Sequence, residues 1–365
     1  MTLPLTVFAI HSSQLTANKS PEFPYELINL IADFLFELKP SSHSGNVENE
    51  TICCVKPEWR HVAGFMNASR KLHRIGLERW IGVLIIRTTL DLEIAASFSH
   101  YIRELIFEVS QFLPLDNSVW SRFPKLRAIS IDCHEDVQQV PGAHRFAYRN
   151  VLVTLPQTLK HLEVRHAHGP DASIIACAKR YCPKLESLWL GRCTAFNRIP
   201  ACHFWMAFPF EHNCYFSCEG SDSYAHSLAD ELASLRNLKS LRLGIYLMPS
   251  AAMLAHRCFH VYGQPAPPQI NWQTALTLTS PDTVDPQPQP QPPPPPTPPQ
   301  VSDLIALLHQ EPEEKNCERC REESFDLSRS ATTSANRILK KGVPSLERIE
   351  WMDWFTPKHL GTCSG

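Results

Sequence analysis

One apolar triplet recurs along the chain and constrains its fold more than any other feature. In "CPKLESLWLGRC", Leu185, Leu188 and Leu190 stand at L-x-x-L-x-L spacing. Side chains alternate across an extended strand, so the last two share one face while the first anchors the turn leading in. The same pattern fits Ile81-Leu84-Ile86, Ile102-Leu105-Phe107, Leu126-Ile129-Ile131, Leu159-Leu162-Val164, Leu238-Leu241-Leu243 and Leu346-Ile349-Trp351, which makes seven copies. One copy would be weak evidence; seven predict a set of related strands. Pro stands just upstream in "FPKL", "LPQTL", "CPKL" and "VPSL", where a fixed φ and a missing N–H suit entry into a strand.

The first positions of successive triplets are 21, 24, 33, 26, 53 and 108 residues apart. Segments between them, such as "TTLDLEIAASFSHYI" and "GPDASIIACAKRYC", carry helix signals. Asp171 or Ser173 can cap the second, and Ile174, Ile175 and Ala178 give it an inward stripe. Each unit thus reads as strand, turn and helix, and such units cover their apolar faces by stacking. Three of the spacings fall in the range of about 20–29 residues of a leucine-rich repeat, and the triplets resemble the degenerate leucine-rich repeats of fungal F-box proteins. The resemblance implies an α/β leucine-rich-repeat-like solenoid over 77–262, with a last repeat strand at 344–356. An ordinary α/β domain with coincidentally similar strands is the alternative.

Ahead of the repeats, "PEFPYELINLIADFLFEL" predicts a helix. Pro24 suits its first turn, Glu26 favours its positive end, and Leu27, Leu30, Ile31, Phe34 and Leu35 recur at helical spacing. The run resembles the opening helix of an F-box, with Phe23, Pro24, Glu26, Leu27, Ile31 and Leu35 at the matching positions. In that family the segment docks on the Skp-type adaptor of a cullin–RING ubiquitin ligase, so these six residues are the implied adaptor-binding set. The bland alternative is a helix that caps the apolar end of a repeat array. The rest of a small helical module over 21–76 comes from "CCVKPEWRHV" or from "FMNASRKLHRIGLERW", the latter similar to the S-R-x-L-H segment at the end of fungal F-boxes. Trp59 is an alternative closing tryptophan for the motif.

Lys+Arg 35 against Asp+Glu 37 leaves a formal charge of −2, which suggests neither nucleic acid nor a membrane surface as partner. Thirteen scattered cysteines are an odd number without a disulfide framework, so they read as reduced. "LPLTVFAI" lacks a basic flank and is too short to span a membrane; a cytoplasmic or nuclear protein is expected. Residues 1–20 read as a disordered tail, 263–300 as a Pro-rich linker or insertion, 301–343 as a short helix with a charged variable segment, and 357–365 as a tail.

No nucleophile elbow, phosphate loop, zinc-protease or dinucleotide motif is present, so a non-enzyme without cofactor is expected. Cys317 and Cys320 form one C-x-x-C pair, and Cys202, His203, His212, Cys214 and Cys218 match none of the usual paired zinc spacings; no metal site is assigned. Cys133 and Cys193, just past strand ends, read as structural. In the repeat family a partner meets the strand residues between the apolar anchors, which are Ile85, Ile106, Ser130, Glu163, Trp189, Arg242 and Glu350. One step on come Glu108, Asp132, Arg165 and Met352. Of these, Glu108, Asp132, Glu163, Arg165, Trp189, Arg242 and Glu350 are the expected substrate-binding residues on a concave face. Trp189 is either an interface anchor or buried under the aromatic-rich stretch 194–222. The resemblance implies the substrate-recognition subunit of a cullin–RING ubiquitin ligase; a leucine-rich scaffold without a ligase is the alternative.

Overall fold

The computed structural model describes residues 23–36, 56–141, 146–169, 171–193, 220–245, 247, 318–353 and 361–364. The readings of 1–20, of the Pro-rich segment, of the 301–310 helix and of Cys202, His203, His212, Cys214, Cys218 and Cys317 lie outside them. Among the described residues no helix is long and apolar enough to cross a membrane.

Three helices form the N-terminal module: α1 (Tyr25–Leu35), α2 (Trp59–Ala68) and α3 (Arg70–Ile81). They enclose a small core of Ala32, Phe36, Val62, Met66 and Ile75. Edge-on aromatic contacts of Phe36 with Phe65 and Trp80, and of Trp59 with Trp80, seal its rim. Ser69 caps α3 by accepting the Leu72 N–H at 3.1 Å. Arg79 on α3 reaches back to Asp33 at 2.7 Å and to the Asn29 side-chain oxygen at 3.1 Å, which fixes α1 against α3. Both candidate segments for the second half are therefore used: "EWRHV" opens α2, and "SRKLHRIGLERW" caps and builds α3.

The seven triplets form seven parallel strands: β1 (Val83–Ile86), β2 (Glu104–Phe107), β3 (Ala128–Asp132), β6 (His161–Ala167), β7 (Ser187–Arg192), β8 (Ser240–Leu243) and β9 (Arg348–Asp353). They lie side by side in chain order, and β10 (Gly361–Ser364) adds an antiparallel edge. The register sets Ile86, Phe107, Ile131, Val164, Leu190, Leu243 and Trp351 in one row, and Leu84, Leu105, Ile129, Leu162, Leu188, Leu241 and Ile349 in the next. Both rows belong to one continuous core.

The expected leucine-rich-repeat solenoid is not the fold. The chain forms an α/β fold built on a seven-stranded all-parallel sheet. A solenoid needs a unit whose outer segment repeats, so that each step turns the array by the same small rotation; here the described parts of the connections are not all alike. A capped helix α4 (Thr89–Ser97) follows β1, a 3-10 turn and the short α5 (Asn117–Ser121) follow β2, and the hairpin β4–β5 (Val137–Gln139, Phe146–Tyr148) follows β3. Three longer helices, α6 (Asp171–Tyr181), α7 (Ser221–Leu232) and α8 (Glu318–Gly342), cover the later strands. The triplet reports only that a strand is buried on one face and entered by an anchored turn, which parallel strands with crossover connections share. Residues 318–323, read from sequence as part of a charged variable segment, lie in the first part of α8.

Packing of α1 and α2 on α3 depends on Gly76. A Cβ there would lie 2.6 Å from Met66 Cγ and 2.9 Å from Phe36 Cζ. Gly76→Val is expected to destabilise the chain by about 1–3 kcal/mol through overpacking, measured by chemical denaturation. Lys56, over the Trp80 ring at 4.9 Å, has its ammonium pushed down to about 8 by burial. The unfolded chain therefore holds this proton up to about pH 10.4 while the folded chain releases it earlier. Stability is expected to rise with pH between those values, and Lys56→Met should remove that component of a pH-dependent unfolding series.

Candidate functional site

The first candidate is the outer face of α1. Pro24 precedes the helix, and its carbonyl accepts the Leu27 and Ile28 N–H groups at 3.1 Å. Ile28, Ala32, Leu35 and Phe36 turn inward. Leu27, Leu30, Ile31 and Phe34 turn outward and are 45%, 63%, 45% and 75% exposed, joined by Phe23 at 58%. Large apolar residues clustered on one exposed helix face mark an interaction surface. Of the six residues matched to the F-box opening, Phe23, Pro24, Glu26, Leu27 and Ile31 are exposed, whereas Leu35 packs into the module. α1 rests on α3 and the module's own core.

The second candidate is the sheet face opposite the core. Ile85, Ile106, Ser130, Glu163, Trp189, Arg242 and Glu350 are aligned neighbours across the seven parallel strands, so they form one row. With the solenoid gone, this row lies on a sheet face rather than on the inside of a repeat array. Ser130, Glu163 and Glu350 are closed off from solvent, at no more than 1% exposure. Trp189 is half-buried and stacks on the Arg242 guanidinium, 4.6 Å from the ring centre. Arg242 and Arg348 both pair with Glu350. One step along, Glu108 forms a two-pronged pair with Arg87 at 2.8 Å, which holds its carboxyl below the usual range. Arg165 is the register partner of Asp132.

At the C-terminal ends of β3, β6 and β7 the row runs into a buried polar cluster that the sequence did not disclose. Asp136 Oδ1 accepts from His168 Nδ1 at 2.7 Å, and its Oδ2 accepts the backbone N–H groups of His168 and Gly169, also at 2.7 Å. A carboxylate only accepts, so Nδ1 of His168 carries a proton, and in the neutral imidazole Nε2 presents a lone pair. The His134 ring packs edge-on against His168 with centres 5.0 Å apart, and the donor atoms of His134, His168 and Cys193 lie within 4.8 Å of one another. Asp132 accepts from His166 Nδ1 at 2.9 Å and from the His134 N–H at 3.0 Å. Burial raises the Asp132 carboxyl, but these bonds and the positive neighbours outweigh it and hold the group below its ordinary value. Cys133 is buried, which pushes its thiol well up with help from the Asp136 and Asp132 charges, so it stays an inert thiol.

A bulge creates this geometry. The register of β6 against β7 shifts between Val164 and Ala167, and His166 between them adopts a left-handed backbone with φ 53°. Such a bulge re-aims the residues that follow. Opposite it, Gly191 brings β7 so close that a Cβ would lie 2.7 Å from the Val164 carbonyl oxygen. Alongside, Arg192 pairs with Asp171 at 2.8 Å and donates to the Gly169 carbonyl at 2.6 Å, while Tyr224 donates to Asp171 at 3.1 Å. Asp171 thus starts α6 but spends its carboxylate on Arg192 and Tyr224.

Comparison with protein-family models, with curated proteins and with solved structures finds no match for this chain. The cluster residues His134, His168 and Cys193 stand 34 and 25 residues apart, close to the spacings of the triplets at 126, 159 and 185. That shared offset past three neighbouring strands was the signal available. Arg192→Ala is expected to cost about 3–5 kcal/mol of stability, because it strands the Asp171 carboxylate in a buried site; denaturant unfolding measures it, and the Arg192→Ala, Asp171→Asn double variant should recover part of the loss.

Proposed function

We propose that this chain is the substrate-recognition subunit of a cullin–RING ubiquitin ligase, docking a Skp-type adaptor through α1 and holding a protein substrate on the α/β sheet. The observation that carries the proposal is the outward apolar face of α1, on a three-helix module whose own core is already satisfied without it. Phe23, Pro24, Glu26, Leu27 and Ile31 are the docking residues, with Leu30 and Phe34 extending the face. Leu35 serves by holding α1 on the module. The chain would act by position, raising the effective concentration of a bound protein near the transfer machinery without bond chemistry of its own.

On the substrate side the same mechanism assigns Trp189 and Arg242 of the sheet row with Glu108 and Arg165 one step on, while Asp132 is largely enclosed by His166 and His134. Trp189 with its stacked Arg242 is the anchor, since Trp and Arg at desolvated positions dominate interface energies. Glu163 and Glu350 are enclosed and act on a substrate only through neighbours, as Glu350 does by orienting Arg242.

Co-purification with a Skp-type adaptor tests the docking. Leu27→Asp with Ile31→Asp changes two exposed side chains and leaves the module core untouched. Each apolar side chain buried on docking contributes about 1.5–3 kcal/mol, so the double variant should bind at least about 100-fold more weakly while its circular dichroism is unchanged. A full chain that fails to bind, or a double variant that binds equally, removes the ligase assignment and leaves a protein-interaction scaffold.

A further inference from the structure

We propose that His134, His168 and Cys193 form a binding site for a zinc ion at the C-terminal ends of β3, β6 and β7. Two imidazoles and a thiolate are a donor set that selects zinc among the abundant divalent ions, since magnesium and calcium take oxygen ligands. The three donor atoms lie within 4.8 Å of one another. Tetrahedral zinc, at bond lengths of about 2.0–2.3 Å, holds such donors roughly 3.4 Å apart, so small rotations of His134 and Cys193 would close the set on the His168 ring.

The surroundings fit a metal rather than a chance cluster. Asp136 fixes the His168 tautomer from Nδ1 and leaves Nε2 as the donor, the carboxylate–histidine arrangement that orients and strengthens imidazole ligands. Asp136 is itself held by two backbone N–H groups, so the ring it orients does not swing. His134 Nε2 is buried and has no hydrogen-bond partner, an unfavourable state that a metal bond would relieve. Binding would displace the thiol proton of Cys193 to solvent, and three protein donors leave the fourth tetrahedral position for water. The metal would tie three neighbouring strands together just past the bulge. It is separate from α1 and does not rest on the ligase proposal.

Zinc content and cobalt spectra of the full chain test this. Purified full-length protein loaded with Zn²⁺ and freed of excess is compared with His134→Ala and Cys193→Ser. The expected result is one equivalent more zinc in the native chain than in either variant. With Co²⁺ the native chain should show a thiolate-to-cobalt charge-transfer band that weakens in Cys193→Ser, and zinc should raise the unfolding midpoint of the native chain more than that of His134→Ala. Cysteines elsewhere contribute equally to all samples, so the difference reports this site alone. His134 is only partly buried, and its alanine variant decides the matter if Cys193→Ser does not fold. Equal zinc in the native chain and folded His134→Ala, or no stoichiometric zinc in either, overturns the site.

Discussion

Six backbone carbonyls hold the described molecule in register. The carbonyls of Gly82, Arg103, Arg127, Lys160, Glu186 and Lys239, each just ahead of a strand, accept two consecutive N–H groups from the chain entering the next strand, at 2.7–3.1 Å. This row of shared acceptors runs across all seven parallel strands. A slip of one residue would turn every apolar anchor out of the core, so the row decides which face is buried. It lies between the first and second residues of each apolar triplet, which explains why the triplet spacing is kept while the connections vary. Where a connection has little helix, polar pins hold it. Trp120 donates to Thr154 and Thr154 to the Pro114 carbonyl, all buried between the segments that flank β3.

The N-terminal module solves a different problem. A three-helix unit this small has little apolar surface to spend, yet α1 is apolar on two sides: Ile28, Ala32, Leu35 and Phe36 inward, Leu27, Leu30, Ile31 and Phe34 outward. The inner side alone closes the core, helped by Gly76 and the Arg79 contacts. The outer side contributes nothing to the module's stability and costs water contact. That asymmetry is the physical basis for proposing that α1 docks on a partner.

The strand ends carry the chemistry. In parallel sheets the carboxyl ends of strands gather side chains from several connections, and here the β6 bulge brings His166 and His168 toward residues following β3 and β7. Several ionisable groups there lie in close pairs, Asp132 with His166, Asp136 with His168 and Asp171 with Arg192. Burying ionised groups carries a desolvation cost that close pairing has to offset.

By itself the sequence determined the strands. All seven apolar triplets became neighbouring parallel strands with the anchors inward, and the α1 helix and the α6 stripe formed where their periodicities placed them. Those features are local, set by alternation and helical spacing. The architecture was not legible, because a triplet describes how a strand meets a core and is silent on whether its connections repeat. It took the tertiary structure to replace the solenoid with an α/β sheet, to turn Leu35 inward, and to close off Ser130, Glu163 and Glu350. Only the tertiary structure, too, brought together His134, His168 and Cys193, from segments dozens of residues apart. Such juxtapositions depend on a bulge at His166 and a close approach at Gly191, which are properties of two strands together and of neither alone.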